Sequence, residues 1–412
     1  MPSLPALPSP TAAILTEVVD QRTADLVALR RELHAHPEVS WAEEQTTERL
    51  VAAVTSLGWR TQRLARSGFV ADLGDAGPLV ALRTDIDALP VQEVSDVPFA
   101  STVPGVAHAC GHDVHMTAVV GAAAALTEVH RAGLLPGRVR LVFQPAEEVM
   151  PGGALEVLSE GHLDEVERIF ALHCDPVVEV GRVALRSGAL TSAADKIEIR
   201  LEGTGGHTSR PHLTGDLTFA LAKLVTELPA VLSRRLDPRA GVSVVWGVVR
   251  SGSAVNVIPR DGLLAGTIRI LDRETWHSCE DMVRELVPQI VRPYGVTAHL
   301  DYQRGVAPVV NDPAAHAALA ATAAALLGPG HADQAVQSLG GEDFGWYTDT
   351  VPGAMFRLGT RTPGGRVYDL HQGDLVVDEA AIGVGARMLA GAALTSLTSL
   401  TSLAAPGGAT GV

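Results

Sequence analysis

The chain has 412 residues, 46% of them hydrophobic, and a formal net charge of -15. That length suffices for two or three domains, and the charge argues against a nucleic-acid partner or an anionic membrane surface, both of which need a basic face. Three cysteines, Cys110, Cys174 and Cys279, cannot close a disulfide framework, so a reducing, cytoplasmic setting is expected.

The first ten residues lack a basic stretch followed by an apolar core and do not read as a signal peptide. No apolar run reaches the roughly 18 residues of a membrane span. Helical spacing of apolar residues predicts a helix over 12–35, stopped at Pro37, and a second over 42–57, ended by Gly58. Short β-type runs follow at 59–64, 70–73 and 79–83. The last leads into Asp85. A loop carrying His108, Cys110, Gly111, His112, Asp113 and His115 then precedes an Ala-rich helix expected from about 116 to 129. Strand 138–143 ends before Glu147 and Glu148, helix 153–159 follows, and strand 168–172 runs into His173. Strands alternating with helices predict an α/β domain with a mixed, mostly parallel sheet flanked by helices. Asp85, Glu147, Glu148 and His173 all fall just past the carboxyl end of an expected strand, the edge of an open α/β sheet where ligands bind.

From about residue 193 the pattern changes. Run 196–201 alternates with period two, as a half-exposed strand does. A glycine-rich turn reaches His207, His212 follows, and then come helix 217–232, strands 242–249 and 263–271, helix 275–291 and strand 297–302. This β-α-β-β-α-β order predicts an inserted ferredoxin-like α+β domain. Helix 314–327, strand 354–358, the loop to His371 and helix 379–394 resume the first pattern. The expected domains are therefore 1–190 and 305–395 for the catalytic part, with 191–304 inserted. The Leu-Thr-Ser repeats from Leu394 to Ser402 read as a frayed helix end leading into a flexible tail, 396–412, with no function assigned.

Cysteine and histidine suit borderline-soft ions such as zinc, cobalt or nickel. The candidate ligands are Cys110, His112, Glu148, His173 and His371. Neighbouring side chains on an extended segment point opposite ways. One carboxylate of Glu147 and Glu148 can therefore ligate while the other takes the proton of a water acidified by the metal and passes it to the leaving amine. Asp85 and Asp113 are candidates to accept imidazole N–H bonds and fix ring orientation behind the ligands.

Five motifs in order are His108 to Asp113, Gln144 to Glu148, His207 with His212, Asn256 to Pro259, and Glu342 to Phe344. Together they resemble the aminoacylase-like metallo-amidohydrolases and metallopeptidases. The nearest branch comprises hippurate hydrolases, N-acyl-amino-acid amidohydrolases and indole-acetyl-amino-acid hydrolases. The resemblance covers about 26–389. It implies two divalent ions (zinc, manganese, cobalt or nickel) on Cys110, His112, Glu148, His173 and His371, with Glu147 as general acid/base. It further implies that the insert is a lid and homodimerisation domain, that His207 of a partner subunit holds the reacting carbonyl oxygen, and that Asn256 and Arg269, with His212 nearby, bind the substrate carboxylate. The implied reaction cleaves the amide bond of an N-acyl amino acid or short peptide.

Three positions depart from the usual family pattern: Gln372 to Leu375 after His371, Cys174 and Asp175 after His173, and Gly340 and Gly341 before Glu342. They bear on pocket shape more than on catalysis. A dipeptidase or carboxypeptidase of the same family is the near alternative. A thiol hydrolase using Cys110 leaves Glu147, Glu148 and His371 unexplained, and a non-catalytic ligand-binding homologue leaves the intact ligand set without a purpose.

Overall fold

The structure, a computed structural model, describes residues 7–404. The first stretch holds α1 (Ser9–Ala35), α2 (Glu44–Ser56), β1 (Arg60–Arg63), β2 (Phe69–Leu73), β3 (Leu79–Asp85), α3 (His112–Arg131), β4 (Arg138–Gln144), α4 (Ala154–Ser159), β5 (Val166–Glu179) and β6 (Val183–Leu185). After β7 (Gly188–Ala189) come β8 (Ala193–Glu202), β9 (Gly206–His207), α5 (Leu217–Arg235), β10 (Ser243–Ser251), β11 (Val257–Ile258), β12 (Asp261–Ile270), α6 (Arg273–Val291) and β13 (Thr297–Val306). The chain then runs through β14 (Val310–Asn311), α7 (Pro313–Leu326), β15 (Ala332–Gln334), α8 (Phe344–Thr350), β16 (Gly353–Arg361) and α9 (Ala380–Ala404). Two compact units result. One takes the residues up to 188, 311–336 and those from 346 onward; the other takes 189–310 and 337–345.

The first unit is an α/β layer fold, as its alternating strands and helices predict. Its eight-stranded sheet has the order β1-β2-β4-β3-β5-β16-β6-β15. The central pairs β4·β3, β3·β5 and β5·β16 are parallel, while β1·β2, β2·β4 and β16·β6 are antiparallel. All seven residues of β3 are buried, as a strand covered on both faces requires. Helices α1, α3 and α9 press on one another through small residues. A Cβ on Gly121 of α3 would come within 2.8 Å of the Ala386 Cβ and 3.0 Å of Leu26 Cδ1, so any larger side chain there would force the helices apart.

The second unit has the expected β-α-β-β-α-β order in a four-stranded antiparallel sheet, β10-β12-β8-β13. Along β8, Ile197, Ile199 and Leu201 are buried while Lys196, Arg200 and Glu202 are exposed. That alternation directs one face toward α5 and α6. A buried carboxylate ties α6 to the sheet: Asp195 accepts from Tyr302 Oη at 2.7 Å, Trp276 Nε1 at 3.0 Å and the Gly305 amide at 3.1 Å.

Four expectations need correction. Helix α3 begins at His112, not near 116, because Gly111 stands at its N-cap with φ of +85° and lets the chain enter the helix at once. Strand β5 runs on to Glu179, so His173 lies inside a strand. The pairing with β3 ends at Ala171, however, and β16 alone accompanies the strand past His173. The Leu-Thr-Ser repeats are not frayed: α9 continues to Ala404, with Thr395, Ser396 and Leu397 buried. By length and composition Ala380–Leu403 could also cross a membrane, contrary to the sequence reading, but 83% of its apolar window is buried within the protein. The tail beyond 404 lies outside the described residues.

Replacing the fully buried Leu397 with Ala should therefore destabilise the first unit by about 2–5 kcal/mol. The same change at Leu403, 78% exposed, should alter stability by no more than about 0.5 kcal/mol. Urea midpoints of the two variants measure the difference.

Candidate metal centre

The centre assembles at the carboxyl edge of the first unit's sheet. Gly111 turns the chain so that Cys110 and His112 approach from its two sides. A Cβ at Gly111 would also stand 2.9 Å from Cys174 Sγ, so the turn has no room for a side chain.

Two backbone carbonyls decide how the imidazoles present themselves. His112 Nδ1 lies 2.9 Å from the Asp87 carbonyl oxygen and His173 Nδ1 lies 2.8 Å from that of Cys174. A carbonyl only accepts, so both rings carry their proton on Nδ1 and present a lone pair at Nε2. His173 Nε2 is 3.5 Å from Cys110 Sγ. His112 Nε2 and Glu148 Oε1 are both buried without a hydrogen-bond partner among the described residues. Glu148 Oε1 stands 3.8 Å from His112 Nε2 and 3.4 Å from His371 Nε2. These separations suit donors converging on a shared cation better than bonds to each other.

All five expected ligands come together. Donor atoms of Cys110, His112 and His173 lie within 4.8 Å of one another, and so do those of Cys110, Glu148 and His371. Cys110 belongs to both groups. Glu147 joins His112 and Glu148 in a further group of the same size. His371 reaches the site from a loop held by its own amide, which donates to the Ala109 carbonyl at 2.7 Å. Burial pushes the Cys110 thiol far up, which a divalent cation reverses by binding the thiolate. Burial opposes charge on His112 too, but the Asp85 carboxylate and the Cys110 sulfur outweigh it and raise the ring well above its ordinary value. Surroundings that favour a proton this strongly also favour a metal cation. The donor set, thiolate with imidazole and carboxylate, fits borderline-soft divalent ions.

Asp85 and Asp113 do accept from imidazoles, though not from those of the candidate ligands. Asp85 Oδ1 bonds His115 Nδ1 at 2.7 Å, and His115 Nε2 accepts from the Cys174 amide at 2.9 Å, beside His173. Asp113 Oδ2 takes His34 Nδ1 at 2.7 Å and lies 2.6 Å from Arg30 Nε, fastening α1 to α3. The residue behind the candidate ligands is Asp87, which no motif singles out in the sequence. Its carbonyl orients His112, and its carboxylate accepts from the Glu148 amide at 3.0 Å and from Ser40 Oγ at 2.7 Å. Its position two residues after Asp85 on an extended segment was the available signal.

The remaining candidates lie in the second unit. His207 pairs with Val257 across β9 and β11, and the Thr208 amide donates to the Asn256 carbonyl. His207 Nδ1 accepts from the Ser209 amide at 3.1 Å, which leaves Nε2–H as an exposed donor. His212 is exposed in the turn Pro211–Leu213. Arg269 stands near the far end of β12, where it pairs with Ala194 and its Nη1 donates to the Leu339 carbonyl at 3.1 Å. Between Asp261 and Arg269 the strand spans roughly 26 Å at about 3.3 Å per residue. Within one copy of this unit Arg269 and the His207–Asn256 pair are thus at opposite ends.

A two-unit fold with a buried Cys/His/Glu centre at a sheet edge defines a metal-dependent hydrolase class, and comparison with known proteins agrees. Residues 81–395 match Peptidase family M20/M25/M40. The chain belongs to this family of metal-dependent hydrolases acting on amide bonds. An N-acetyl-L-cysteine deacetylase of Bacillus subtilis is 35% identical over 360 residues, covering 87% of this chain and 84% of that protein. A Rhodococcus jostii protein named a putative glutamate–cysteine ligase is 47% identical over 384 residues; the match takes in 93% of this chain but 48% of that protein, so the chain spans about half its length. Among solved structures, the Bacillus subtilis YxeP protein, described as a dinuclear metal binding peptidase, superposes with a TM-score of 0.79 at 31% identity, over 92% of this chain and 99% of that one.

His34 gives the pH dependence of the support behind the centre. Burial would lower its pKa, but the Asp113 charge and bonds from Asp113 and Glu93 raise it from 6.5 to about 9. Its stabilisation is therefore complete below about pH 6.5 and is lost as pH rises through 9. Melting temperature should fall over that window, by an amount on the order of 3 kcal/mol in stability. In His34→Gln that component of the slope should disappear, and a slope unchanged from wild type would contradict the assignment.

Proposed function

We propose that this chain hydrolyses the amide bond of N-acyl amino acids and works as a homodimer holding two divalent ions per subunit. The observation that carries the reading is the pair of ligand groups sharing Cys110, with His112 and His173 locked to present Nε2. Cys110, His112 and His173 would hold one ion, and Cys110, Glu148 and His371 the other. When bound, such ions polarise an amide carbonyl and acidify water. Glu147 takes the proton of the attacking water on its carboxylate as oxygen adds to the carbonyl carbon. It then gives that proton to the amide nitrogen as the C–N bond breaks, leaving a carboxylic acid and an amino acid. The N-acetylcysteine deacetylase relative supports acyl amino acids as the substrate class. A thiolate ligand suits a reducing compartment, and we place the protein in the cytoplasm.

The second unit is read as a lid and dimerisation domain. Strand β10 is an edge strand with Val245 and Val249 exposed, a surface that invites pairing with a second copy. Arg269 has the planar fork for a substrate carboxylate, which an Asn256 amide would also bind, and the His207 Nε2–H suits the reacting carbonyl oxygen. Since Arg269 and the His207–Asn256 pair lie at opposite ends of one copy, a substrate that touches all three needs His207 and Asn256 of the partner subunit.

Glu147→Gln should lower kcat by at least about 10³-fold while metal content stays at two ions per chain. The assay is amino-acid release from acetyl, benzoyl and indole-acetyl conjugates and a few dipeptides, after stripping and restoring zinc, manganese, cobalt or nickel. Full activity in Glu147→Gln would sink the assignment, and preference for unblocked dipeptides would move the enzyme to the peptidases. Co-expressing His207→Ala with Arg269→Ala tests the shared site. Random pairing leaves about a quarter of sites intact, so activity should return to about 25% of wild type although each variant alone is inactive. No recovery in mixed dimers would confine the site to one chain.

A further inference from the structure

Glu43, 103 residues before Ala146, whose amide it reaches, is fully buried. Its Oε1 accepts the amide N–H of Ala146 at 2.8 Å, and its Oε2 accepts from Ser67 Oγ at 2.7 Å. Among the described residues no ion pair is recorded for it. A carboxylate buried without a cation is expensive and persists where its hydrogen bonds are needed.

The group it holds is unusual. Ala146 has φ of +52°, a left-handed conformation that residues with a Cβ adopt reluctantly. That twist lies directly between the end of β4 and Glu147, so it decides where the Glu147 side chain is aimed. The Ala146 carbonyl is fixed as well, accepting from the Gly153 amide at 3.0 Å. On the other side of Glu147, the Glu148 amide donates to Asp87 Oδ2 at 3.0 Å. Two buried carboxylates, from α2's N-terminus and from the segment after β3, thus clamp the backbone on either side of one residue.

We propose that Glu43 is a positioning residue for the reaction: it holds Ala146 in its left-handed turn and thereby aims the Glu147 carboxylate. The inference rests on the reading of Glu147 as acid/base. Asp87 also orients a ligand, so any change there would disturb metal binding. The Glu43 carboxylate holds the Ala146 amide before Glu147 and the Ser67 hydroxyl, so its loss should be felt in proton transfer rather than in metal binding.

The test uses the full-length protein loaded with two ions. In Glu43→Ala, kcat on the best conjugate should fall about 10²-fold, the scale of a misplacement near 1 Å, with KM and metal content within twofold of wild type. Glu43→Gln keeps an oxygen for the Ala146 amide, and the Ser67 hydroxyl can turn to accept from its new N–H; its kcat should stay within threefold. Should Glu43→Ala fail to fold, Glu43→Asp takes its place, since the arm one methylene shorter lets go of the amide while keeping the charge. A crystal structure of the same variant supplies a readout independent of turnover, with Ala146 leaving the left-handed region and the Glu147 carboxylate displaced. Unchanged Ala146 geometry, or kcat within threefold of wild type in a folded variant, overturns the proposal. So does an equal loss in Glu43→Ala and Glu43→Gln that tracks melting temperature or metal content. Glu147→Gln run in parallel separates the two readings: if it is active the acid/base assignment fails, and if it is inactive while Glu43→Ala is normal, only the positioning role fails.

Discussion

Two carbonyl oxygens, those of Asp87 and Cys174, set the chemistry of the centre by each holding the Nδ1 proton of an imidazole. An unrestrained histidine has two tautomers and a rotating ring, and a ligand that must choose among them loses affinity. Here the choice is made by backbone that the sheet holds rigid. Cys174 lies on β5, and Asp87 lies two residues past the end of β3. The fold thus delivers lone pairs in place, and the sulfur of Cys110 is the one group common to both sets of donors.

The elements of the first unit were legible because apolar periodicity and proline or glycine stops survive in the fold. The β-α-β-β-α-β order of the insert was readable for the same reason, and its strand order follows the ferredoxin-like arrangement. Boundaries were less legible wherever a tertiary partner prolonged an element. β16 carries β5 past His173, and burial against the core carries α9 through three repeats whose Thr and Ser content reads as fraying. Residue types at motif spacing pointed to the five candidate ligands, whose donor atoms the fold brings together. The supporting residues were harder. Asp113 and Asp85 look like ligand partners in sequence, yet serve His34 and His115, and Asp87 acts partly through its backbone, which no residue type announces. Glu43 has no local signal, since what it holds lies 103 residues away.

Buried carboxylates recur through the protein with different assignments. Asp195 gathers a phenol, an indole and an amide to seat α6 on its sheet, Asp113 fastens α1 to α3 through His34 and Arg30, and Glu43 and Asp87 grip backbone amides. In each case several donors converge on one anion, which is how a low-dielectric interior tolerates the charge. Such groups tolerate little change, because removing the anion strands every donor at once.

The placement of α9 has a consequence for how the protein is made. Its apolar faces fill the space against α1 and α3, yet it follows every other element of the first unit in sequence. A nascent chain that has emerged only as far as residue 379 has an eight-stranded sheet to pair and two helices with nothing to close over them. The interior of this unit is therefore sealed only when the last of its elements has emerged, and until then the emerging chain presents chaperones with an apolar groove the length of a helix.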